Sequence, residues 1–287
     1  MRKILAVASV VLLASCASDS GGGLAEPATD SDAVEATVRA SFTAEASKDT
    51  PTFLELWTDE GLKEYDVGSR EELEMAAHEH GEGGNLGEDP AEIHRFGDIT
   101  VKGSSATAIV DAKRIESQAV SPLFRLKYEL VKRQGEWLMN GFEYLGGPPA
   151  AEGTAVVDIE AKEYAFVLEE GEVPGEIAFT FRNVGKEQHE ITLFKGPDDL
   201  DIEQAADDLA NVDGSELDNV PDGYKVDHIA FAEAGDSEDV AFAEPMPAGT
   251  YVLACYIPQG GFPESGDPDP NAKPHFQLGM RALLSVK

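Results

Sequence analysis

Only two cysteines occur in the 287 residues, at positions 16 and 255, so the chain cannot carry the disulfide framework of a small secreted scaffold. If Cys16 has another fate, Cys255 has no partner within the chain. It is then either an inert buried thiol or a thiolate held by a metal. Basic residues are also scarce, 22 Lys and Arg against 55 Asp and Glu, for a formal net charge of -33. Such a field repels phosphate backbones and anionic lipid, which excludes nucleic acid as a ligand and favours basic proteins and cations. The excess is uneven: residues 33–145 hold 22 acidic and 12 basic side chains, residues 154–287 hold 28 and 8. A solvated acidic surface that serves solubility would look the same. Long apolar runs are missing too, and nothing beyond residue 13 approaches the roughly 20 residues of a membrane-spanning helix. No internal repeat is present.

What is there begins with Arg2 and Lys3 and an apolar run from Ile4 to Leu13, the charged and hydrophobic regions of an export signal. The run is too short to span a bilayer. It ends in Leu13-Ala14-Ser15-Cys16, which resembles the bacterial lipobox. The resemblance implies cleavage before Cys16, lipidation of its thiol, and an extracytoplasmic protein anchored by acyl chains to the cell membrane or outer membrane. On this reading residues 1–15 are the signal peptide. Residues 16–32, rich in Ser, Gly and Asp around Gly21-Gly22-Gly23, are a flexible tether.

The remaining chain is long enough for two domains, and the Gly/Pro-punctuated stretch at 146–153 is the expected linker between them. In residues 33–145 Val34, Val38 and Phe42 recur at helical spacing behind Asp32. Further helices are expected near Phe53 to Trp57 and across Ser69 to His80. Strands follow over Ile93 to Val101, Ala106 to Ile115, Phe124 to Arg133 and Glu136 to Tyr144, with Gln134-Gly135 turning between the last two. Helices first and antiparallel strands afterwards predict an α+β domain. The order, and the ending from Arg125 to Met139, resembles the NTF2-like (SnoaL-like) cone, a superfold that hosts enzymes, ligand pockets and scaffolds alike. His94 with Asp98 is an acid-base pair of low specificity. His78 and His80, flanked by Glu72, Glu74 and Glu82, could bind a divalent metal, but on a helix the two would point apart, and the following Gly81-Glu82-Gly83-Gly84 reads as a solvated loop.

Residues 154–287 read as an all-β sandwich: β-rich runs at Ala155 to Tyr164, Glu176 to Asn183, His189 to Phe194, Asp239 to Phe242, Gly249 to Ile257 and Ala282 to Val286 are separated by turn residues. Strand parity places His189 with Ile191 and Leu193, Cys255 with Tyr251, Leu253 and Ile257, and Met280 with Leu284 and Val286, all facing inward. Gly196 to Asp236 is an acidic insertion in which Ile202 to Leu209 is helical.

One thiolate, two imidazoles (His189 and His275) and the Met280 thioether are the ligand types of a type 1 copper site. Phe181 to His189, Pro247 to Cys255, and Pro274-His275 with Gly279-Met280 resemble the strand, turn and ligand motifs of the cupredoxin (plastocyanin/azurin-like) family. The resemblance implies a Greek-key sandwich in which His189, Cys255 and His275 bind one copper ion equatorially and Met280 axially. It departs from the family pattern in the long stretch 256–274 between Cys255 and His275, whose closure costs entropy that a short loop avoids.

The expected protein is thus an anchored one-electron carrier or copper holder, not an enzyme, with a basic redox or copper-handling protein as partner and an N-terminal domain whose ligand is unknown. Two alternatives stay open at this level. The sandwich is a metal-free scaffold beside a ligand-binding or protein-binding cone, or the cone is an isomerase-like or cyclase-like enzyme using His94 and Asp98.

Overall fold

A computed structural model describes residues 29–65, 69–80, 90–169, 171–197, 200–212, 219–262, 269 and 271–287. Cys16 and the signal and tether around it lie outside the described residues.

Helix α1 (Asp30–Ala46) begins slightly before the expected edge, because Thr29 rather than Asp32 is its N-cap. The Thr29 hydroxyl accepts from the Asp32 amide while the Asp32 carboxylate accepts from the Thr29 amide, a reciprocal cap that satisfies two otherwise orphaned donors. The helix buries Val34, Val38 and Phe42, the predicted face. Helices α2 (Thr50–Leu56), α3 (Asp59–Glu64) and α4 (Arg70–His80) follow; α3 was not legible in the hydropathy pattern because it is only six residues long.

Four strands, β1 (Ala91–Lys102), β2 (Ser105–Arg114), β3 (Leu123–Arg133) and β4 (Glu136–Tyr144), form an antiparallel sheet in sequence order. Register shifts between Ile93 and Arg95, between Phe96 and Ile99, and between Glu129 and Leu130 bend it around the helices. Trp57, Phe53, Leu62, Tyr128 and Met139 fill the space enclosed, and Trp57 Nε1 donates to Ser41 Oγ at 2.8 Å.

The rest of the chain forms two sheets. Strands β5 (Ala155–Lys162), β6 (Ala165–Val167), β8 (Ile177–Asn183) and β11 (Ser237–Val240) make one, in the order β11-β8-β5-β6. Strands β7 (Glu172–Val173), β9 (His189–Lys195), β10 (Lys225–Ala232), β12 (Gly249–Ala254) and β13 (Arg281–Val286) make the other, in the order β10-β9-β12-β13-β7. Between them lies one apolar core containing Phe179, Phe181, Ile191, Leu193, Tyr251 and Leu253.

Two features differ from expectation. The insertion expected over Gly196 to Asp236 is shorter, since its last part is β10, an edge strand paired with β9 from Lys225↔Lys195 to Ala232↔His189. Second, β9 and β12 are buried on both faces, not one. Phe194, Val252 and Ala254 are fully buried under a second cluster built from α5 (Ile202–Asp208), Leu209 and Phe276. A strand covered on both sides loses its alternation, and that is why the period alone understated its burial.

The two parts are tied together by backbone. The segment between β2 and β3 runs onto the sandwich, where the Asp227 carboxylate accepts from the amides of Gln118, Ala119 and Val120 at 2.9, 2.5 and 2.8 Å. Val120 is buried in the sandwich core, and Leu123 N and Ala243 N donate to Ala241 O and Ser121 O at 2.8 Å. Residues 146–153 also pack: a Cβ on Gly147 would sit 1.7 Å from the Asp239 carbonyl, so only glycine permits that approach. Asp227→Ala leaves three amides without their acceptor and is expected to destabilise the protein by about 2–3 kcal/mol. Urea unfolding of the variant beside the parent measures this, and an unchanged midpoint would show that the strap contributes nothing.

Candidate metal centre

His189, Cys255 and His275 reach one point from three elements. Asn183, at the end of β8, organises the turn that delivers His189: its Nδ2 donates to Glu187 O at 2.7 Å and Ala232 O at 3.0 Å, and its Oδ1 accepts from Gly185 N at 2.9 Å. His189 then opens β9 with its ring on the core face. Cys255 follows directly on β12, with inward parity set by Tyr251 and Leu253.

The chain leaves Cys255 and returns through a hydrogen-bonded neck. Pro258 bridges Pro274, Gln259 N donates to Lys273 O at 2.9 Å, and His275 N donates to Ile257 O at 2.9 Å. The neck makes the length of the 256–274 stretch immaterial to the position of His275, because the ends are held together whatever lies between them. After Pro274 a 3₁₀ turn (His275–Leu278) carries the ring inward, and Gly279 at φ 110°, a conformation that side chains resist, sends the chain into β13. Met280 N donates to His275 O at 3.0 Å and Met280 O accepts from Cys255 N at 3.4 Å, so the fully buried Met280 is tied to both neighbours through backbone.

The donor atoms converge. His189 Nδ1 and His275 Nδ1 are 3.2 Å apart, and Cys255 Sγ lies 4.0 Å from the first and 3.4 Å from the second. A triangle with those sides has its centre about 2.1 Å from every corner, within the roughly 2.0–2.3 Å of a bond from imidazole nitrogen or thiolate sulfur to a transition metal. All three side chains are fully buried, and they are the one such group of three among the described residues.

Each outer nitrogen has its own environment. His275 Nε2 lies 2.9 Å from Glu187 Oε2, and that carboxylate is held by Gly260 N at 2.8 Å and by Tyr164 OH at 3.4 Å from its other oxygen. With Nε2–H donated to Glu187, the Nδ1 lone pair of His275 is left facing the centre, and the ring is held in that orientation. The Tyr164 ring meets His275 edge-on at 5.1 Å. His189 Nε2, by contrast, is buried without a hydrogen-bond partner. Sequence reasoning missed Glu187 and Tyr164. Glu187 stands two residues before His189, and nothing about an acidic residue in so acidic a chain marks it out.

Burial sets the protonation states. It pushes the Cys255 thiol up to about 12. Burial, and then repulsion by His275, push His189 down to about 4, and burial lowers His275 although Glu187 opposes it. At neutral pH both imidazoles are therefore neutral and ready to donate, while the thiol keeps its proton. A metal bound by all three must displace that single proton, so Cu(II) affinity is expected to rise about tenfold per pH unit above roughly pH 6.5. Calorimetry in buffers of different ionisation enthalpy counts the released protons; a count of zero would mean that Cys255 is not a ligand.

The donor set fits copper: two imidazole nitrogens and one thiolate in a trigonal plane, beside a buried Met, is the arrangement of a blue-copper centre. The other expected sites fare differently. His94 and Asp98 are both exposed on β1, and neither reaches the interior of the sheet. The side chains of His78 and His80 lie outside the described residues.

No protein-family model matches the chain, and no curated protein does. Among solved structures it is similar to dithionite-reduced auracyanin from the photosynthetic bacterium Roseiflexus castenholzii, at 26% identity over 48% of this chain and 99% of that one, with a TM-score of 0.29. It is also similar to auracyanin A, a "blue" copper protein from Chloroflexus aurantiacus, at 24% identity over 47% of this chain and 100% of that one, with a TM-score of 0.30. An NTF2-like superfamily protein from Salmonella enterica shares 15% identity over 43% of this chain and 94% of that one, with a TM-score of 0.31.

Proposed function

We propose that this protein is an extracytoplasmic one-electron carrier, anchored through lipid on Cys16, in which His189, Cys255 and His275, with Met280 beside them, would hold one copper ion. The observation that carries this reading is the convergence of Nδ1, Nδ1 and Sγ on a common point about 2.1 Å from each, within a fully buried shell. Copper, when bound, supplies a couple that exchanges single electrons.

The chain's own residues favour electron transfer over delivery of the ion. Handing an ion to another protein requires ligands that open one at a time to an incoming donor. Here His189, Cys255 and His275 are fully buried, Phe276 N donates to Cys255 O at 2.6 Å, and Glu187 covers the outer nitrogen of His275. A shell held from so many directions changes little between oxidation states, which keeps reorganisation small. The acidic surface of the sandwich would steer a basic partner, with an association rate that falls as salt rises. No chemistry on a substrate is needed for this role. Residues 33–145 form an NTF2-like module, 154–287 the cupredoxin-like domain, and 146–153 the packed connection between them.

The test is a potentiometric titration of the copper-loaded protein followed by its visible absorption. A band that bleaches and returns with one electron per copper supports the carrier. Rapid loss of the ion to a small chelator, with no reversible bleaching, would instead indicate a copper holder.

A further inference from the structure

A cavity of about 1070 Å³ lies between the N-terminal sheet and the sandwich, and the copper site makes no use of it. Its inner wall is aromatic: Phe42, Tyr65, Phe124, Tyr128 and Phe142 line it. Tyr65 and Phe142 meet at 5.1 Å, Phe42 and Tyr128 at 5.9 Å, and Tyr128 and Phe142 at 6.4 Å. Its other wall belongs to the sandwich, where His228 to Ala232 of β10 and the turn up to Glu238 line it. The site therefore exists only with both parts in place, held by the Asp227 strap and by Tyr144 OH, which donates to Glu238 Oε1 at 2.8 Å across the rim.

One carboxylate stands among the inner aromatics. The carboxylate of Glu45, at the end of α1, accepts from Tyr65 OH at 2.8 Å, and no Lys, Arg or His among the described residues pairs with it. A carboxylate has about four acceptor positions, so most of its capacity is unspent, and burial disfavours its charge. The other ionisable lining groups are Arg114, Glu233, Asp236, Glu238 and His228. Burial, with Arg114 assisting, holds His228 down at about 4, so it is neutral at pH 7. The lining is thus net acidic. Aromatic faces present negative potential to their contents, as does the carboxylate.

We infer that this composite pocket binds an organic cation, an amine or quaternary ammonium on an apolar body, with its charged end against Glu45 and the faces of Tyr65, Tyr128 and Phe142. At the inner end a metal ion would find one carboxylate and two phenol hydroxyls among aromatic rings, too few oxygens to replace its water. A neutral ligand of the same shape would leave the Glu45 charge uncompensated. The volume is enough for a molecule well beyond a single ring.

The experiment titrates the full chain with 2-phenylethylamine, a cation at pH 7, and with 2-phenylethanol, its neutral counterpart of the same shape. Calorimetry supplies the affinity. Tryptophan fluorescence supplies the location, since Trp57 packs against Tyr65 at 4.9 Å. Saturable one-to-one binding of the amine, at least tenfold tighter than the alcohol and weakened at least tenfold by Glu45→Gln, is the expected result. Equal affinity for the two compounds in the unmodified protein would overturn the inference without recourse to any variant. So would an absence of saturation by the amine into the millimolar range, or an unchanged affinity in a folded Glu45→Gln protein. Copper need not be bound, so failure here leaves the electron-carrier reading untouched.

Discussion

Cys255→Ser is expected to abolish the intense visible band that the protein develops with one equivalent of Cu(II), and to weaken copper binding by on the order of a hundredfold or more. The band in question is charge transfer from thiolate to copper, and Cys255 is the sole thiol among the described residues. A serine hydroxyl is almost the same size, so the buried shell persists. It is nonetheless a hard, protonated oxygen where a soft anion stood, and soft sulfur is what selects copper in this arrangement. The substitution thus separates chemistry from packing. An absorption spectrum and a competition titration with a chromophoric chelator read both effects. Retention of the band in the C255S protein would place the copper elsewhere, and absence of any band in the parent would leave the sandwich a metal-free scaffold.

Copper loading is expected to raise the unfolding temperature by about 10 °C. A ligand that binds only the folded state, at a free concentration a thousand times its Kd, adds about 4 kcal/mol, and for a chain of this size each kcal/mol moves the midpoint by a few degrees. Selectivity for the folded state follows from the site. Its donors come from β9, from the end of β12 and from the turn before β13, and they meet only when the five-stranded sheet is formed. Calorimetric melting of the loaded and metal-free protein measures the shift, and an unchanged midpoint would mean that the ion sits on a surface that unfolding preserves. The metal-free form also carries a pH signature. With His189 near 4 in the folded state and about 6.5 when unfolded, the unfolded chain takes up a proton first as pH falls. Stability is therefore full above roughly pH 6.5, declines between there and pH 4, and levels off below. Loading with copper should move that decline to lower pH, since the ion competes with protons for the same nitrogen.

Much of the site was legible in the order of the residues. Period-two alternation put His189 beside Ile191 and Leu193 and put Cys255 beside Tyr251 and Leu253; the last five share one apolar core, and His189 is fully buried. Both are local: a side chain two residues along a strand inherits its face from the pleat, whatever the strand pairs with. The N-terminal strands were legible for the same reason, and the Gln134-Gly135 turn because both residues take positive φ, which Gly accepts freely. The edge strand Lys225–Ala232 was not. Val226 packs into the cluster around α5 while Phe231 is exposed at the rim of the cavity, so its hydropathy follows neither pattern cleanly.

Residue identity, strand parity and charge are properties of short stretches, so the available donors, the faces they take and the sign of the surface are settled locally. Long-range packing supplied the rest. It returned His275 to Cys255 across a long excursion, through the bridge between Pro258 and Pro274. It brought Glu187 onto His275, Asp227 under the strap, and β10 over the aromatic end of the N-terminal sheet. Glu187 and His275 are 88 positions apart, Ala119 and Asp227 are 108 apart, and no periodicity connects them. Such contacts form because donors and acceptors buried by packing must be satisfied by whatever the fold places beside them.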